Sequence, residues 1–248
     1  MNFKHINIVK KISLLLSIGL LFSACAQNTP TEFNDPLEQI NRKTHAFNKT
    51  LDTWMLRPAG KAYGIVVNDF ADEIINDFTD NLSEPSNATN HLLQGKIIKS
   101  LKSTARFLVN STIGLGGIID PASRLGLIAD ESNFGETLHN WGVGEGAYIE
   151  LPFYAASTVR DTTGIMVDFM MDPINSILPS KYRPYTQGAK LIELAGDRNE
   201  YGDMIDSVLY QNEDSYASQR LYYLQNRRFE LNNNTISDDD LGNPYDDE

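Results

Sequence analysis

Two apolar stretches interrupted by glycine constrain the fold of this chain more than any other feature of its sequence. The first runs from Arg106 to Asp120, and the second begins at Asn133 and leads into the glycine-rich segment 141–152. The first stretch is too rich in glycine for an ordinary soluble helix and shorter than the roughly 20 apolar residues that a bilayer-crossing helix needs. Such a surface lies either in a protein core or against acyl chains, where glycine permits close backbone contact.

The N-terminus has the parts of an export signal. Lys10 and Lys11 precede an apolar run over 12–22, and small residues stand directly before Cys25. Cys25 is the only cysteine, so it has no partner for an internal disulfide. Its position predicts a lipobox cysteine that takes a diacylglyceryl group and anchors the chain through acyl chains. An ordinary signal peptide followed by a stray cysteine is the alternative.

These features divide the chain into segments. We predict a lipoprotein signal peptide over 1–24, an acylated tether over 25–34, one folded domain over 35–231 and an acidic disordered tail over 232–248. The residue after the cysteine is Ala26 rather than aspartate, so the inner-membrane retention signal is missing. The expected address is therefore the periplasmic side of the outer membrane.

The net charge of −12 excludes one class of partner. Removal of residues 1–24 takes away three lysines and no acid, which leaves the mature chain more acidic still. Because binding to nucleic-acid phosphates needs concentrated positive charge, no nucleic-acid partner is expected.

The folded part is predicted to be all-α. Apolar residues recur at helical spacing from Asp35 to a break before Pro58, and again over 69–82 to a break at Pro85. The outer faces of these two helices are open to interpretation: Phe47, Leu51 and Trp54 suit either a core or the lipid headgroup level, and the acidic face of the second suits solvent. Further helices are predicted over 87–94, 134–140, 157–171, 186–210 (burying Leu191 and Leu194) and 214–231.

The helix after Gly95 is basic and amphipathic. Its lysines and Arg106 recur at spacings of three and four, beside an apolar stripe that includes Ile97, Ile98, Leu101, Leu108 and Ile113. Such a helix is typical of contact with membranes or phosphates, although a solvated outer face is the alternative for the lysines. Arg106 is the strongest candidate for a functional contact because it lies where the polar stripe meets the glycine segment.

The last helix combines tyrosine and arginine, namely Tyr216, Tyr223, Arg220, Arg227 and Arg228. This combination suits an interaction surface. It suits equally a clamp that holds a terminal helix on the body of the protein.

The known sequence patterns of catalytic and metal sites are missing from the chain. There is no G-x-S-x-G elbow, no H-E-x-x-H motif, no pair of cysteines and no EF-hand loop. His45, His91 and His139 are scattered singly. A dispersed catalytic triad is defined by geometry and stays open at this point. We expect no enzyme activity, no cofactor and no metal.

Several separate motifs occur in the order of one known family. They are R-F-x-x-N-x-x-x-G-x-G-G-x-x-D-P from Arg106, F-G-x-T-L from Phe134, G-V-G-x-G-x-Y-x-x-L-P from Gly142, D-P-L-E-Q-I-N-R from Asp35, N-L-x-E-P from Asn81 and L-L-Q-G from Leu92. This pattern resembles the MlaA (VacJ) family of phospholipid-binding outer-membrane lipoproteins, and the resemblance covers about residues 35–230.

The resemblance implies a fold and a task. The fold would be a single disc- or ring-like helical domain with amphipathic helices, lipid-anchored and without a membrane-spanning helix. The task would be to pass mislocalised outer-leaflet phospholipid through an amphipathic channel to a periplasmic carrier of the MlaC type, beside a trimeric porin. On this basis we expect the lipid path to be bordered by Arg106, Asn110, Gly114, Gly116 and Gly117. A lipid-hydrolysing enzyme and a structural scaffold lipoprotein are the alternatives.

Overall fold

The structure of the protein is a computed structural model that describes residues 33–174 and 179–232. The predicted signal peptide, the predicted lipidation site Cys25, most of the tether and nearly all of the acidic tail lie outside the described residues. The described part is mostly helical, as predicted. Its helices and strands are α1 Glu38–Leu51, α2 Arg57–Val66, α3 Asp69–Leu93, α4 Ile97–Thr112, α5 Pro121–Arg124, α6 Phe134–Asn140, β1 Tyr148–Leu151, β2 Ala155–Thr158, α7 Val159–Met171, α8 Arg183–Glu200, α9 Gly202–Asp206 and α10 Ser215–Leu231.

Two prolines that were expected to end helices do not. Pro58 lies in the first turn of α2, and a π-helical turn over Asp52–Leu56 joins this helix to α1. The wider turn accommodates a residue that has no N–H to donate. Pro85 lies inside α3, which continues to Leu93. The predictions of breaks at these prolines were wrong because tertiary contacts outweigh the local preference.

The predicted helix over 186–210 is divided in the structure. α8 ends at Glu200, and α9 is followed by a second π-helical segment over Ser207–Gln211. The glycine-rich run after Trp141 is not helical, and it leads into an antiparallel hairpin in which Tyr148 pairs with Thr158 and Leu151 with Ala155. Asn41 of α1 holds this hairpin, because its side chain bonds the Tyr148 carbonyl at 3.1 Å and the Glu150 N–H at 3.0 Å.

The terminal helix α10 is clamped onto the body of the protein. Arg220 pairs with Asp35 at 2.5 Å, Arg227 with Asp161 at 3.2 Å and Arg228 with Glu145 at 2.7 Å. Tyr216 and Leu224 of the same helix pack with Tyr148 in a small buried cluster. These contacts match the interpretation of this helix as a clamp on the body of the protein.

The polarity of the fold is inverted relative to an ordinary globular domain. Among the described residues, the buried side chains are mainly polar or charged, and only five hydrophobic residues are buried: Tyr63, Ala122, Tyr148, Tyr216 and Leu224. Large apolar side chains lie on the outside, with Trp54 exposed to 77% and Ile98 to 78%. In the described residues no helix is both long enough and apolar enough to cross a bilayer.

Helix α4 illustrates the inversion. Ser100, Ser103, Arg106 and Asn110 recur at helical spacing and are buried, whereas the apolar stripe faces outward. Leu191 and Leu194 of α8, which were expected to be buried, are exposed as well. That prediction was wrong because it assigned the apolar face of an amphipathic helix to a core.

Candidate functional site

A cavity of about 830 Å³ lies beside the buried polar side chains, and several of its lining residues are exposed. Its wall is formed by α3, the segment before α6, β2, α7, α8 and α10. Eight of the lining residues are acids, namely Asp80, Glu84, Glu131, Asp161, Asp168, Asp172, Glu193 and Glu230, whereas two are basic, Lys190 and Arg227. Apolar side chains, among them Tyr154, Ile165, Phe169 and Ile174, complete the lining.

One part of the wall, the acidic wall, consists of Asp80 of α3, Glu131 of the segment before α6 and Glu193 of α8. Burial raises the pKa of Asp80 to about 6, and repulsion from Glu131 and Glu193 adds to the effect. Burial likewise raises the pKa of Glu193, although a hydrogen bond donated by Thr79 at 2.9 Å opposes the rise. Burial thus disfavours the ionised states of Asp80 and Glu193, and the neighbouring carboxylates add to the effect at Asp80.

Another part of the wall carries paired charges. Arg227 of α10 donates to both carboxylate oxygens of Asp161 on α7, and the Tyr223 hydroxyl donates to Asp161 at 2.8 Å. Burial by itself would raise the pKa of Asp161, but Arg227 and Arg160 hold it below its usual value. The charge of Arg227 is therefore largely compensated inside the protein.

Asp168 of α7 positions the neighbouring helix α6. Its carboxylate accepts the Phe134 N–H and the Asn90 amide, each at 2.9 Å. Burial raises the pKa of Asp168, and these two hydrogen bonds oppose the rise. The start of α6 and the last turn of α3 are thereby fixed beside the cavity.

Arg106 is the centre of a buried ion cluster next to the cavity. Its side chain is 2% exposed and donates hydrogen bonds to Glu84, Asp120, Ser123 and the Leu127 carbonyl. Burial would raise the pKa of Asp120, but hydrogen bonds from Ser123, Arg106 and Asn110 lower it to about 2. Glu84 belongs both to this cluster and to the cavity wall, and its Oε2 has no hydrogen-bond partner among the described residues.

The glycine loop, residues 113–119, is attached to the same cluster. Leu115, Gly116 and Gly117 have φ angles of 56°, 84° and 96°, a region that glycine enters without steric cost. The Gly117 N–H donates to the Asn110 carbonyl at 2.9 Å, and a Cβ atom at Gly117 would lie 2.6 Å from Cβ of Asn81. The glycines thus let an apolar loop lie against α3 while its large side chains face outward.

The structure brings the candidate path residues together but not into the cavity wall. Arg106 and Asn110 meet at Asp120, and Gly117 bonds the Asn110 backbone. None of these residues, nor Gly114 or Gly116, is among the described residues that line the cavity. Their link to the cavity is Glu84.

The acids of the cavity were missed from the sequence. The acidic face of the helix that contains Asp80 was interpreted as solvated, and Glu131 and Glu193 were not predicted to belong to a site. A usable signal was present on α3, where Thr79, Asn81, Glu84, Asn87, Asn90 and His91 are buried polar residues at helical spacing. A polar stripe between apolar outer faces indicates a polar interior.

The arrangement favours binding of a polar group over coordination of a metal. In residues 33–174 and 179–232, no three His, Cys, Asp or Glu side chains are close enough together to hold a metal ion. The cavity is large enough for a lipid headgroup, and its lining combines charged and apolar side chains. Such a cavity suits an amphipathic ligand.

The family model and the named relatives agree on one family. The family model described as MlaA lipoprotein matches residues 33–230. The chain is 34% identical to the Escherichia coli (strain K12) protein named intermembrane phospholipid transport system lipoprotein MlaA, over 89% of this chain and 88% of the relative. The protein of the same name from Haemophilus influenzae is 32% identical, over 92% of each chain.

Two further comparisons extend this result. An uncharacterized protein of Rickettsia typhi is 35% identical over 78% of this chain and 76% of that protein. A solved structure reported under the words "Structural basis for maintenance of bacterial outer membrane lipid asymmetry" superposes with a TM-score of 0.68, at 34% identity, covering 79% of this chain and 98% of the other. On the extent of the family match and the coverage of these relatives, the chain belongs to the MlaA lipoprotein family.

Proposed function

We propose that this protein carries phospholipid that has reached the outer leaflet of the outer membrane back towards the periplasm through its polar cavity. The observation that carries this proposal is the inverted polarity of the fold. Many large apolar side chains are exposed on the described outer surface, while most of the buried side chains are charged, amide or hydroxyl groups. This is the distribution expected of a protein that sits in acyl chains and encloses a polar path.

The physical task is to move a headgroup through hydrocarbon. An unpaired polar group in an apolar layer costs several kcal/mol, and a charged one costs more. The cavity offers carboxylates, amides and hydroxyls to the headgroup, and Tyr154, Ile165 and Phe169 give the same wall an apolar component for the acyl chains. Transport of this kind requires no bond to be broken, so the proposed role is that of a transporter rather than an enzyme.

The membrane location follows from the proposed anchor and from the outer surface. Acylation of Cys25 would hold the domain at the periplasmic side of the outer membrane, and exposed side chains such as Trp54 and Ile98 would enter the inner leaflet. We propose a periplasmic carrier of the MlaC type as the recipient of the lipid and a trimeric porin as the membrane partner. Both partners rest on membership of the family.

The Arg106 cluster and the glycine loop are proposed to border the path. Glu84 connects Arg106 to the cavity wall, and Asn110 ties the glycine loop to the cluster through its backbone carbonyl. Gly114, Gly116 and Gly117 then determine how closely the apolar loop approaches α3. In this role the residues hold the edge of the path in shape rather than contact the headgroup directly.

The proposal is tested by obstructing the cavity. Ala129 lines the cavity and is exposed to it, so Ala129→Trp fills the space without displacing a packed core. Ala59→Trp, on an exposed position of α2 outside the lining, is the matched control. We expect Ala129→Trp to increase outer-leaflet phospholipid in cells at normal levels of anchored protein, and Ala59→Trp to leave it unchanged.

Mass spectrometry of the detergent-extracted protein provides the second measurement. The wild-type chain should carry intact phospholipid, and Ala129→Trp should carry less. Release of fatty acid or lysophospholipid from vesicles would instead indicate a hydrolase. Absence of any bound phospholipid, together with unchanged lipid asymmetry in Ala129→Trp, would contradict the proposal.

A further inference from the structure

The lining of the cavity carries a net negative charge, which affects the phospholipid headgroups that can bind there. Carboxylates greatly outnumber basic side chains in the lining. The charge of Arg227 is compensated by Asp161 and that of Arg106 by Glu84 and Asp120. Asp80, Glu131 and Glu193 of the acidic wall form no ion pair within the described residues, and the charge of Lys190 on α8 offsets only part of their negative charge.

An acidic cluster alone could simply be solvated, but a second feature points to a missing partner. Glu84 is 1% exposed and lies in the cavity wall, and its Oε2 has no hydrogen-bond partner among the described residues. A buried charged oxygen without a partner is costly, and a donor entering the cavity would satisfy it. Carboxylates on three separate elements and this orphaned oxygen thus all favour a cationic hydrogen-bond donor.

The geometry favours an organic ammonium over a metal ion. Over the described part of the chain, no group of acidic or histidine side chains is placed to hold a metal ion. An organic ammonium needs no tight coordination shell, because its three N–H donors can reach carboxylates that lie further apart. The apolar side chains of the same lining, such as Ile165 and Phe169, suit a ligand that also carries hydrocarbon.

We propose that the cavity selects phospholipids whose headgroup carries a primary ammonium, as in phosphatidylethanolamine, over anionic phospholipids such as phosphatidylglycerol. The ammonium is held at the acidic wall, and Lys190, one helical turn before Glu193 on α8, faces the phosphate. An anionic headgroup meets only repulsion at the acidic wall. This inference rests on the proposed function and names its substrate class.

The test measures which lipid the protein extracts from vesicles that contain equal amounts of phosphatidylethanolamine and phosphatidylglycerol. The full chain, purified in mild detergent and incubated with these vesicles, is analysed for bound lipid by mass spectrometry. We expect enrichment of phosphatidylethanolamine by about fivefold, the combined effect of several partly solvated charge interactions. The variant with Asp80→Asn, Glu131→Gln and Glu193→Gln should bind the two lipids in nearly equal amounts.

A matched variant separates the cavity charge from the total charge. Asp69→Asn, Asp203→Asn and Glu213→Gln remove three exposed acids outside the cavity lining, and enrichment should stay as in the wild type. Equal binding of both lipids by the wild type, or unchanged enrichment in the cavity variant, would overturn the selectivity while leaving lipid transport standing. Binding of spermidine without enrichment of phosphatidylethanolamine would assign the acidic wall to free amines and overturn the proposal. Absence of any bound lipid in the wild type would overturn both proposals.

Discussion

The buried Arg106 cluster and the neighbouring acidic wall, whose Asp80 and Glu131 are exposed, differ in how their charges are paired. In the Arg106 cluster, carboxylates from α3 and from the segment before α5 converge on one guanidinium, and the pKa of Asp120 falls to about 2. At the acidic wall, three carboxylates face the cavity and the pKa of Asp80 rises to about 6. Paired charge in the first region holds the fold together, whereas the carboxylates of the second form no ion pair within the described residues.

The largest expected loss of stability comes from disrupting the Arg106 cluster. Arg106→Met leaves Glu84 and Asp120 buried without their cation, and the free energy of unfolding should fall by about 3–5 kcal/mol. Chemical unfolding of the purified protein in detergent measures this change. Arg124→Met, which removes an exposed arginine nearby, should change stability by less than about 0.5 kcal/mol. A loss below about 1 kcal/mol for Arg106→Met would contradict the structural role of the cluster.

The glycine loop, which is attached to the same cluster, should give the next largest effect. At Gly117 both the φ angle of 96° and the contact with Asn81 oppose a side chain, so Gly117→Val should cost about 2–4 kcal/mol. Gly116→Ala enters open space with a φ angle of 84°, and only the backbone conformation opposes it, at about 1 kcal/mol. Thermal unfolding of the two variants tests the difference, and equal losses would contradict the close packing of Gly117 on α3.

A larger substitution at Gly116 tests whether the glycine loop borders the lipid path. Because Gly116 tolerates a side chain sterically, Gly116→Leu should leave anchored protein in the membrane and increase outer-leaflet phospholipid. Normal lipid asymmetry in that variant would count against a role of the glycine loop at the path.

The smallest expected change in the free energy of unfolding comes from a substitution in the acidic wall, and this change depends on pH. The pKa of the Asp80 carboxyl is 3.8 ordinarily and about 6 in the folded protein, so the unfolded chain releases this proton at lower pH. Stability is therefore lost as the pH rises from about 4 to 6, and Asp80→Asn removes that loss. Because the carboxyl is exposed to the cavity, Asp80→Asn should raise the free energy of unfolding by at most about 1 kcal/mol at pH 7.5 and leave it unchanged at pH 3.5.

Unfolding titrations at these two pH values, with Glu213→Gln as an exposed control, would detect the change. An equal gain at both pH values, or a loss at pH 7.5, would contradict the repulsion between Asp80, Glu131 and Glu193. Such a result would make the acidic wall resemble the Arg106 cluster and remove the difference between the two regions.

The sequence predicts the helices better than it predicts which of their faces is buried. Helical spacing located α4 and α10 because hydrophobic period is a local property. The same period does not say whether the apolar face meets a core or a membrane, and for Leu191 and Leu194 the wrong choice was made. Pro85 could not be placed from local preference because contacts distant in sequence keep α3 helical.

The candidate site was predictable only in part. Arg106 stood out because it lies where the polar stripe meets the glycine segment, and Asn110 was expected from the family resemblance. Both are buried in one cluster. The acidic wall unites residues 80, 131 and 193, which are distant in the sequence. No periodicity connects them, so their proximity emerges only from the tertiary structure.

Thiol accessibility in membranes distinguishes a domain whose apolar faces meet lipid, and whose polar interior meets water and headgroups, from a domain surrounded by water. Ser86→Cys places a thiol in the cavity wall, and Ile98→Cys places one on the exposed apolar face of α4. Each variant is reconstituted into phospholipid vesicles and treated with a charged methanethiosulfonate reagent, with the wild-type chain as the background for Cys25. We expect the thiol at position 86 to react faster than the thiol at position 98. Faster reaction at position 98, as its 78% exposure would give for a domain surrounded by water, would contradict this expectation.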